Sequence, residues 1–315
     1  MSKPLYESKS RYRILSLDGG GSKGIYTVGV LSELELALGR PVHEHFDLIY
    51  GTSTGAIIAA MLGMGMSAET IKSKYLDLIP KVMGESNSEA RSSALLAEAK
   101  TIFGEAKFES FKLSIGIVAT NSHDKAPMVF KSSPQQALGR RTSFTPGFGC
   151  TVVQALMAST AAYPLFAKQT VKTEHHGEVE VIDGGFVANN PTLLALADAF
   201  QIPDVQRNDI DVLSVGVGEY LEPRKSWYWR MLYKLPSVQL VQIQLETSSA
   251  TSEILRKVFF NDIPCVRVND SYLDKRYATD LLENDPDRLR KMFALGRESY
   301  GKKEEAIKTT IMGMR

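Results

Sequence analysis

Hydrophobic and polar positions along this chain follow two periodicities. Short apolar runs, which indicate buried strands, occur at 13–17, 46–50, 113–119, 128–131, 179–182, 212–217 and 266–268. Between them, apolar residues recur at helical spacing and predict helices at 25–38, 56–62, 67–78, 90–102, 152–162 and 190–200, with a charged helix from 287 onward. Strands that alternate with helices favour an α/β fold with a central, mostly parallel sheet.

Composition narrows the classes of partner. The chain has 315 residues, of which 43% are hydrophobic and 23% charged, and its formal net charge is +1. A nearly neutral chain has no general attraction for polyanions, so we expect no nucleic acid polymer as partner.

Cys150 and Cys265 lack the spacing of a disulfide framework or a zinc site. Residues 1–10 lack the apolar core of a signal peptide, and no stretch is apolar enough to span a membrane. We therefore expect a cytoplasmic protein whose membrane contact is peripheral.

Glycines cluster at the predicted carboxyl ends of three strands, at 19–24, 51–55 and 184–185. In α/β sheets, functional sites form where the carboxyl ends of strands meet. We therefore expect the three clusters to contribute to one site.

The first glycine cluster fits two kinds of anion site. Gly19, Gly21 and Gly24 satisfy the G-x-G-x-x-G pattern of a dinucleotide-binding loop. The pattern also requires an acid after the next strand, and the fit is poor, because Asp47 lies before the core of that strand rather than after it. Successive glycines also suit an oxyanion hole, in which unobstructed amides converge on a developing negative charge. A nucleotide-binding protein that uses Gly19–Gly24 as a phosphate cradle is therefore the second hypothesis.

The second cluster, Gly51-Thr52-Ser53-Thr54-Gly55, matches the G-x-S-x-G pattern of a nucleophile elbow. In this motif the serine lies on a sharp turn between a strand and a helix, with its hydroxyl exposed. A serine hydroxyl needs a base to take its proton before it becomes a good nucleophile. Ser53 therefore predicts a catalytic base elsewhere in the chain.

A histidine base would come from His175 or His176, in the order serine, acid, histidine. The acids available to orient the ring are Asp124 and Glu174. Both histidines lie in a polar stretch that predicts a hairpin turn rather than a glycine-marked strand end. His43 and His45 precede a strand, and we expect them at the surface.

Asp183 is the better candidate, because it ends the predicted strand 179–182 and precedes two glycines. A carboxylate with an ordinary pKa near 4 is a weak base, but burial in a closed pocket raises its pKa. An Asp-Gly pair also commonly caps a turn, so a purely structural role stays open at this point.

Together, three motifs resemble the signature of the patatin-like phospholipase family. They are Asp18-Gly19-Gly20-Gly21-Ser22-Lys23-Gly24, Gly51-Thr52-Ser53-Thr54-Gly55 and Asp183-Gly184-Gly185, with further similarity at 155–166 and 188–191. The resemblance covers roughly residues 11–200. It implies a patatin-like three-layer α/β/α sandwich. We expect a single domain over 1–315, in which the C-terminal third, 201–315, packs on this core or extends it.

The resemblance also implies a serine acyl hydrolase that uses neither a metal nor a cofactor. Ser53 would attack an acyl ester of a phospholipid, and Asp183 would take its proton and later activate water. The amides of Gly20, Gly21 and Gly24 would hold the oxyanion. The supporting positions are Lys23, Gly51, Gly55 and Gly184. Lys23 would orient the loop or meet a phosphate.

Within the family, a chain without secretion features is similar to bacterial phospholipase effectors of anti-phage signalling. That similarity implies a cyclic oligonucleotide activator and action at the inner membrane surface, and it leaves a homo-oligomer open. Arg140 and Arg141 either bind phosphate groups or lie in a solvated surface loop. The aromatic and basic segment Pro223–Leu235 suits an interface with anionic lipid or a packed contact. The segment 84–110 is either a lid or a plain cap.

Overall fold

The computed structural model describes residues 11–137, 141–175, 177–221 and 236–313. Its central sheet has the pairing order β5-β6-β3-β2-β1-β7-β9, and β4 also pairs with β3. These strands are β1 Tyr12–Leu17, β2 Leu48–Thr52, β3 Ser114–Asn121, β4 Ala126–Lys131, β5 Gln169–Thr173, β6 Gly177–Asp183, β7 Ile210–Val215 and β9 Cys265–Val268. β8 Glu219–Tyr220 and β10 Ser271–Tyr272 pair separately. Strands β3, β2, β1, β7 and β9 are parallel, whereas β4 and β6 run antiparallel to β3.

Helices cover both faces of the sheet. They are α1 Gly24–Leu38, α2 Thr54–Gly63, α3 Ala68–Met83, α4 Ser88–Phe103, α5 Val152–Ser159, α6 Gly185–Ala188, α7 Thr192–Ala199, α8 Pro236–Phe259 and α9 Pro286–Thr310. Leu15 and Leu17 face the larger core with α1 to α5, whereas Ile14 faces a second core with α7. This alternation along β1 is what a strand buried on both faces requires. The predicted three-layer α/β/α sandwich is confirmed.

Two strands meet end to end along one edge of β3. β4 pairs with residues 116–121 of β3, while β2 pairs with 114–118 and β6 with 119–121. Because β4 occupies one edge over this length, β2 and β6 must share the other edge. Thr52 pairs with Val118 and Asp183 pairs with Ala119, so the carboxyl ends of β2 and β6 face each other. The register thus brings Ser53 close to Asp183.

The C-terminal third packs against the strands and helices that precede it. α9 approaches α1 so closely that a Cβ atom on Gly296 would lie 2.0 Å from the Tyr26 carbonyl oxygen. The carbonyl of Leu281 accepts hydrogen bonds from the backbone and side chain of Ser22, at 3.1 Å each. No helix in the described ranges is both long enough and apolar enough to cross a bilayer.

Several local expectations need correction. His43 and His45 are buried rather than at the surface, and His45 Nε2 lies 2.9 Å from the Ile311 carbonyl oxygen. α5 ends at Ser159 rather than 162, and α3 continues to Met83. The patterns also gave no sign of β5 or of α8.

Candidate active site

Ser53 occupies the sharp turn between β2 and α2. Its backbone has φ 53° and ψ −120°, a conformation that residues other than glycine rarely adopt. The Ser53 amide donates to Ser159 Oγ at 2.9 Å, and Ser159 Oγ donates to the Val118 carbonyl at 2.5 Å. These two hydrogen bonds hold a strained residue in place, as functional sites often do.

Gly51 and Gly55 make the turn sterically possible. A Cβ atom on Gly51 would lie 2.3 Å from the Gly55 carbonyl oxygen, and one on Gly55 would lie 2.3 Å from the Leu17 carbonyl oxygen. Any larger residue would push the start of α2 away from β1 and β2. The spacing of the motif therefore reflects close backbone contact on both sides of Ser53.

Asp183 is fully buried at the end of β6. Its Oδ1 accepts a hydrogen bond from the Gly185 amide at 2.7 Å, and its backbone carbonyl accepts one from Thr120 Oγ1 at 2.8 Å. The next residue, Gly184, donates its amide to the Ser159 carbonyl at 3.2 Å. Oδ2 of Asp183 is buried and has no hydrogen-bond partner among the described residues. One carboxylate oxygen is thus fixed and the other is available for a proton.

Burial controls the proton affinity of Asp183. Desolvation raises the pKa of this carboxyl from 3.8 to about 7, against smaller lowering effects from the Gly185 amide and the Ser53 side chain. No hydrogen bond within 3.5 Å joins Ser53 Oγ to the carboxylate, although Ser53 is near enough to influence it. Such contacts commonly shorten only when substrate is bound. A carboxyl with a pKa near neutrality can act as a general base.

Ser53 and Asp183 open into one apolar pocket. The space between its walls, including the part open to solvent, is about 530 Å³. Its apolar walls include Ile79, Val82, Leu95, Leu165, Phe166 and Leu281. Leu95 lies on α4, so part of the segment 84–110 forms this wall. The pocket suits a hydrocarbon chain.

The glycine loop lies beside Ser53. A Cβ atom on Gly19 would be 3.2 Å from Ser53 Cβ, and the Gly19 amide donates to the Asn189 carbonyl at 3.0 Å. Within the described part of the chain, the amides of Gly20 and Gly21 donate to no protein group. Gly21 has φ +56°, and a Cβ atom there would lie 2.4 Å from the Leu281 carbonyl oxygen. Two amides next to the serine are therefore free to bind an oxyanion.

Gly24 is a correction to the expected oxyanion hole. Its amide donates to the Gly21 and Ser22 carbonyls at the start of α1, so it has no hydrogen left for a substrate. A Cβ atom on Gly24 would lie 2.4 Å from Thr54 Oγ1 and 2.4 Å from the Tyr75 hydroxyl. Gly24 therefore serves close packing between α1, α2 and α3.

Lys23 is only 3% exposed, and its Nζ lies 3.4 Å from Glu246 Oε1 on α8. Both line a second, smaller pocket, which also contains Gly20 and Asn189. The ammonium group thus lines this second pocket and not the apolar one.

Two buried contacts of the loop were not predicted from the sequence. Asn189 Nδ2 donates to the Gly19 carbonyl at 3.2 Å and to Ser249 Oγ at 2.9 Å. Asp18, directly before the glycines, forms a buried ion pair with Arg267, whose Nη1 lies 2.8 Å from Asp18 Oδ1. The similarity at 188–191 drew attention to Asn189, but no pattern connected Arg267 to the motif.

The histidine alternative finds no support in the geometry. His175 Nε2 lies 3.0 Å from Thr145 Oγ1, at an exposed position just before β6, whereas Asp183 ends that strand. The length of β6, roughly 3.3 Å per residue, therefore separates His175 from the pocket. Asp124 accepts from Asn121 Nδ2 at 2.9 Å in a surface turn. His176, Arg140 and the whole segment Pro223–Leu235 lie outside the described residues, as does the side chain of Arg141.

In the described ranges, no group of three His, Cys, Asp or Glu side chains is arranged to hold an ion.

Comparison with known proteins agrees with this architecture. The chain matches the family model described as patatin-like phospholipase over residues 15–196. It is 43% identical over 307 residues to a cUMP-AMP-activated phospholipase of Escherichia coli, covering 98% of this chain and 96% of that relative. It is 28% identical over 312 residues to a cGAMP-activated phospholipase of Escherichia coli strain TW11681, covering 88% and 82% of the two chains. VipD from Legionella pneumophila shares the fold, with a TM-score of 0.51 and 12% identity over 96% of this chain and 68% of that chain. The chain belongs to the patatin-like phospholipase family.

Proposed function

We propose that this protein hydrolyses acyl esters of membrane phospholipids with Ser53 as nucleophile and Asp183 as base. One observation carries the proposal: a strained serine faces a buried carboxylate that has one unpaired oxygen, at the end of an apolar pocket. The amides of Gly20 and Gly21 have no acceptor among the described residues, and Gly21 lines the same pocket as Ser53. This arrangement supports the assignment of a nucleophile, a base, oxyanion donors and an acyl pocket.

The reaction has two halves. Ser53 Oγ attacks the ester carbonyl carbon while its proton passes to Asp183 Oδ2, and the Gly20 and Gly21 amides bind the oxyanion. The tetrahedral intermediate collapses, and the departing lysophospholipid alkoxide takes the proton from Asp183. Asp183 then removes a proton from water, whose oxygen attacks the acyl-enzyme. Collapse of the second intermediate releases the fatty acid and returns the proton to Ser53.

The phosphate-cradle hypothesis is weaker. Of the loop amides, Gly19 donates to Asn189, Ser22 to Leu281, Lys23 to Gly20, and Gly24 to the carbonyls before it. A phosphate cradle needs several converging amides, whereas this loop offers two. Two donors suit a single oxyanion better than a pyrophosphate.

We further propose that a cyclic dinucleotide activates the enzyme and that it acts peripherally on the cytoplasmic face of the inner membrane, in anti-phage defence. The support is the relative named as a cUMP-AMP-activated phospholipase, which matches almost the full length of this chain at 43% identity. cUMP-AMP is accordingly the first activator to test.

The test measures fatty acid release from phospholipid vesicles with and without cUMP-AMP. Ser53→Ala and Asp183→Asn should each reduce the rate by roughly a thousandfold or more. The two residues act as one catalytic unit, so the loss of either one removes the contribution of both. The matched controls are Ser93→Ala on α4 and Asp204→Asn in an exposed loop, which should behave as wild type. Full activity in folded Asp183→Asn would refute the dyad, and equal rates without cUMP-AMP would refute activation by that nucleotide.

A further inference from the structure

Helix α8 carries apolar side chains on the face that points away from the protein. Leu240, Ile243, Ile254 and Val258 are between 53% and 67% exposed. The spacings between them are sums of helical steps of three and four residues. The four side chains therefore lie on one side of the helix, over a length of about 27 Å. The exposed residues between them on this side are Thr247, Ala250 and Thr251. We call these seven residues the outer face of α8.

The opposite face of α8 is already occupied. Val241 and Leu245 are buried, and Leu245 lines the apolar pocket with Ser53 and Asp183. A surface helix normally presents polar residues to water, whereas α8 is apolar on both sides. Its outer face is therefore suited to contact another apolar phase.

Charge indicates what that phase is. None of the seven outer-face residues is charged. Beside the face, Lys257 is 66% exposed and its Nζ lies 3.4 Å from Glu253 Oε1, while the side chain of Glu246 is 41% exposed and lies 3.4 Å from Lys23 Nζ. Arg256 also binds Glu253, at 2.8 Å. Because these neighbouring charges are already paired within the protein, the face itself is uncharged and fits the apolar part of a bilayer surface.

The sequence that precedes α8 also favours contact with a membrane. Leu221 ends the described chain before α8 and is 47% exposed. The residues that join it to Pro236 contain Trp227, Trp229 and two tyrosines, with four basic residues against one acid. Aromatic and basic residues together favour the interface of an anionic bilayer.

We propose that the outer face of α8 docks on the surface of a bilayer that contains anionic phospholipid. This deepens the proposed function, on which it rests, by assigning the surface that meets the substrate's membrane. Because the buried side of the same helix lines the catalytic pocket, docking holds that pocket about one helix diameter, 10–12 Å, from the lipid. The helix would lie along the membrane surface, as interfacial helices do.

The experiment measures flotation of the full chain with vesicles of phosphatidylcholine, with and without phosphatidylglycerol, in the presence of cUMP-AMP. A Ser53→Ala background keeps the vesicles intact. Leu240→Ser with Ile243→Ser, and Ile254→Ser with Val258→Ser, should each weaken partitioning roughly tenfold. The control is Leu36→Ser on α1, equally exposed at 73%, which should bind as the parent does.

Lys257→Glu is the second probe, and it reverses an exposed charge and removes the ion pair with Glu253. It should weaken binding to vesicles with phosphatidylglycerol by roughly tenfold and leave binding to phosphatidylcholine unchanged. Unchanged binding of the double variants would overturn the proposal. So would a change in oligomeric mass caused by these substitutions, since that would assign the face to a second copy.

Hydrolysis of the soluble ester p-nitrophenyl butyrate separates the two proposals. With Ser53 intact, the outer-face variants should keep wild-type rates on this ester, because none of their positions touches the pocket. A wild-type protein that floats with vesicles but hydrolyses no ester would refute the proposed function and leave the docking surface standing. Ester hydrolysis without vesicle binding would refute the docking surface.

Discussion

Asp183 should make catalysis and stability respond to pH in opposite directions. Burial holds the pKa of this carboxyl at about 7 in the folded protein, against an ordinary value of 3.8. The base form therefore accumulates only as the pH rises through about 7, and kcat/KM should rise with it. Folding, by contrast, is favoured by the protonated form, so stability is greatest below the unfolded pKa and is lost as the pH rises through the folded one.

The size of the stability effect follows from the two pKa values. Each tenfold difference in proton affinity is worth about 1.36 kcal/mol, so burying the charged carboxylate costs about 4 kcal/mol at pH 8. At pH 5 the same group costs only about 1.5 kcal/mol, since most of it is protonated in the folded state. Wild type should therefore lose about 3 kcal/mol between pH 5 and pH 8 from Asp183 alone.

Asp183→Asn removes the titration while keeping the shape of the side chain. The assay compares the thermal unfolding midpoints of wild type, Asp183→Asn and the exposed control Asp204→Asn at pH 5 and pH 8. From pH 5 to pH 8, the unfolding midpoint of Asp183→Asn should rise relative to that of wild type by roughly 5 °C. The midpoint of Asp204→Asn should change with pH as that of wild type does. Parallel curves for all three proteins would show that Asp183 is not a buried carboxyl with a raised pKa.

Three further substitutions test the surroundings of the dyad. Gly21→Ala, at φ +56° and facing the Leu281 carbonyl, should lower kcat on a soluble ester at least roughly tenfold by displacing an oxyanion donor; unchanged kcat would exclude Gly21 from the hole. Asn189→Ala releases the Gly19 carbonyl and should lower kcat about tenfold with KM unchanged; an altered KM alone would contradict this positioning role. Arg267→Met leaves the Asp18 carboxylate buried and unpaired and should cost about 3–5 kcal/mol in urea unfolding. Adding Asp18→Asn should recover most of that loss, and failure to recover it would mean that the ion pair is not the cause.

Local patterns predicted the catalytic arrangement because its parts are short motifs at strand ends. The glycines at 19–24, 51–55 and 184–185 mark turns that larger side chains could not make, and parallel topology brings such turns together. The pairing of Asp183 with Ala119 depends on the register of β3, which no motif encodes. The prediction therefore named the residues but could not give the distance between them.

Elements outside the motifs were harder to predict for identifiable reasons. The strand β5 has the sequence QTVKT, in which Val171 is the single apolar residue, so it lacks an apolar run. α8 has apolar residues on both faces, which hides the helical period on which prediction depends. His45 contacts the Ile311 carbonyl, across more than 260 residues of sequence, and local sequence cannot show such a contact.

The anchoring of the glycine loop by Leu281 and Arg267 has a consequence for biosynthesis. By the time residue 185 leaves the ribosome, the nascent chain already contains the serine, the aspartate and all the glycines of the three motifs. The groups that hold the loop in place, however, belong to residues that are translated later. A phospholipase built in this way is expected to stay inert until at least residues 267–281 have been translated and have folded onto the loop.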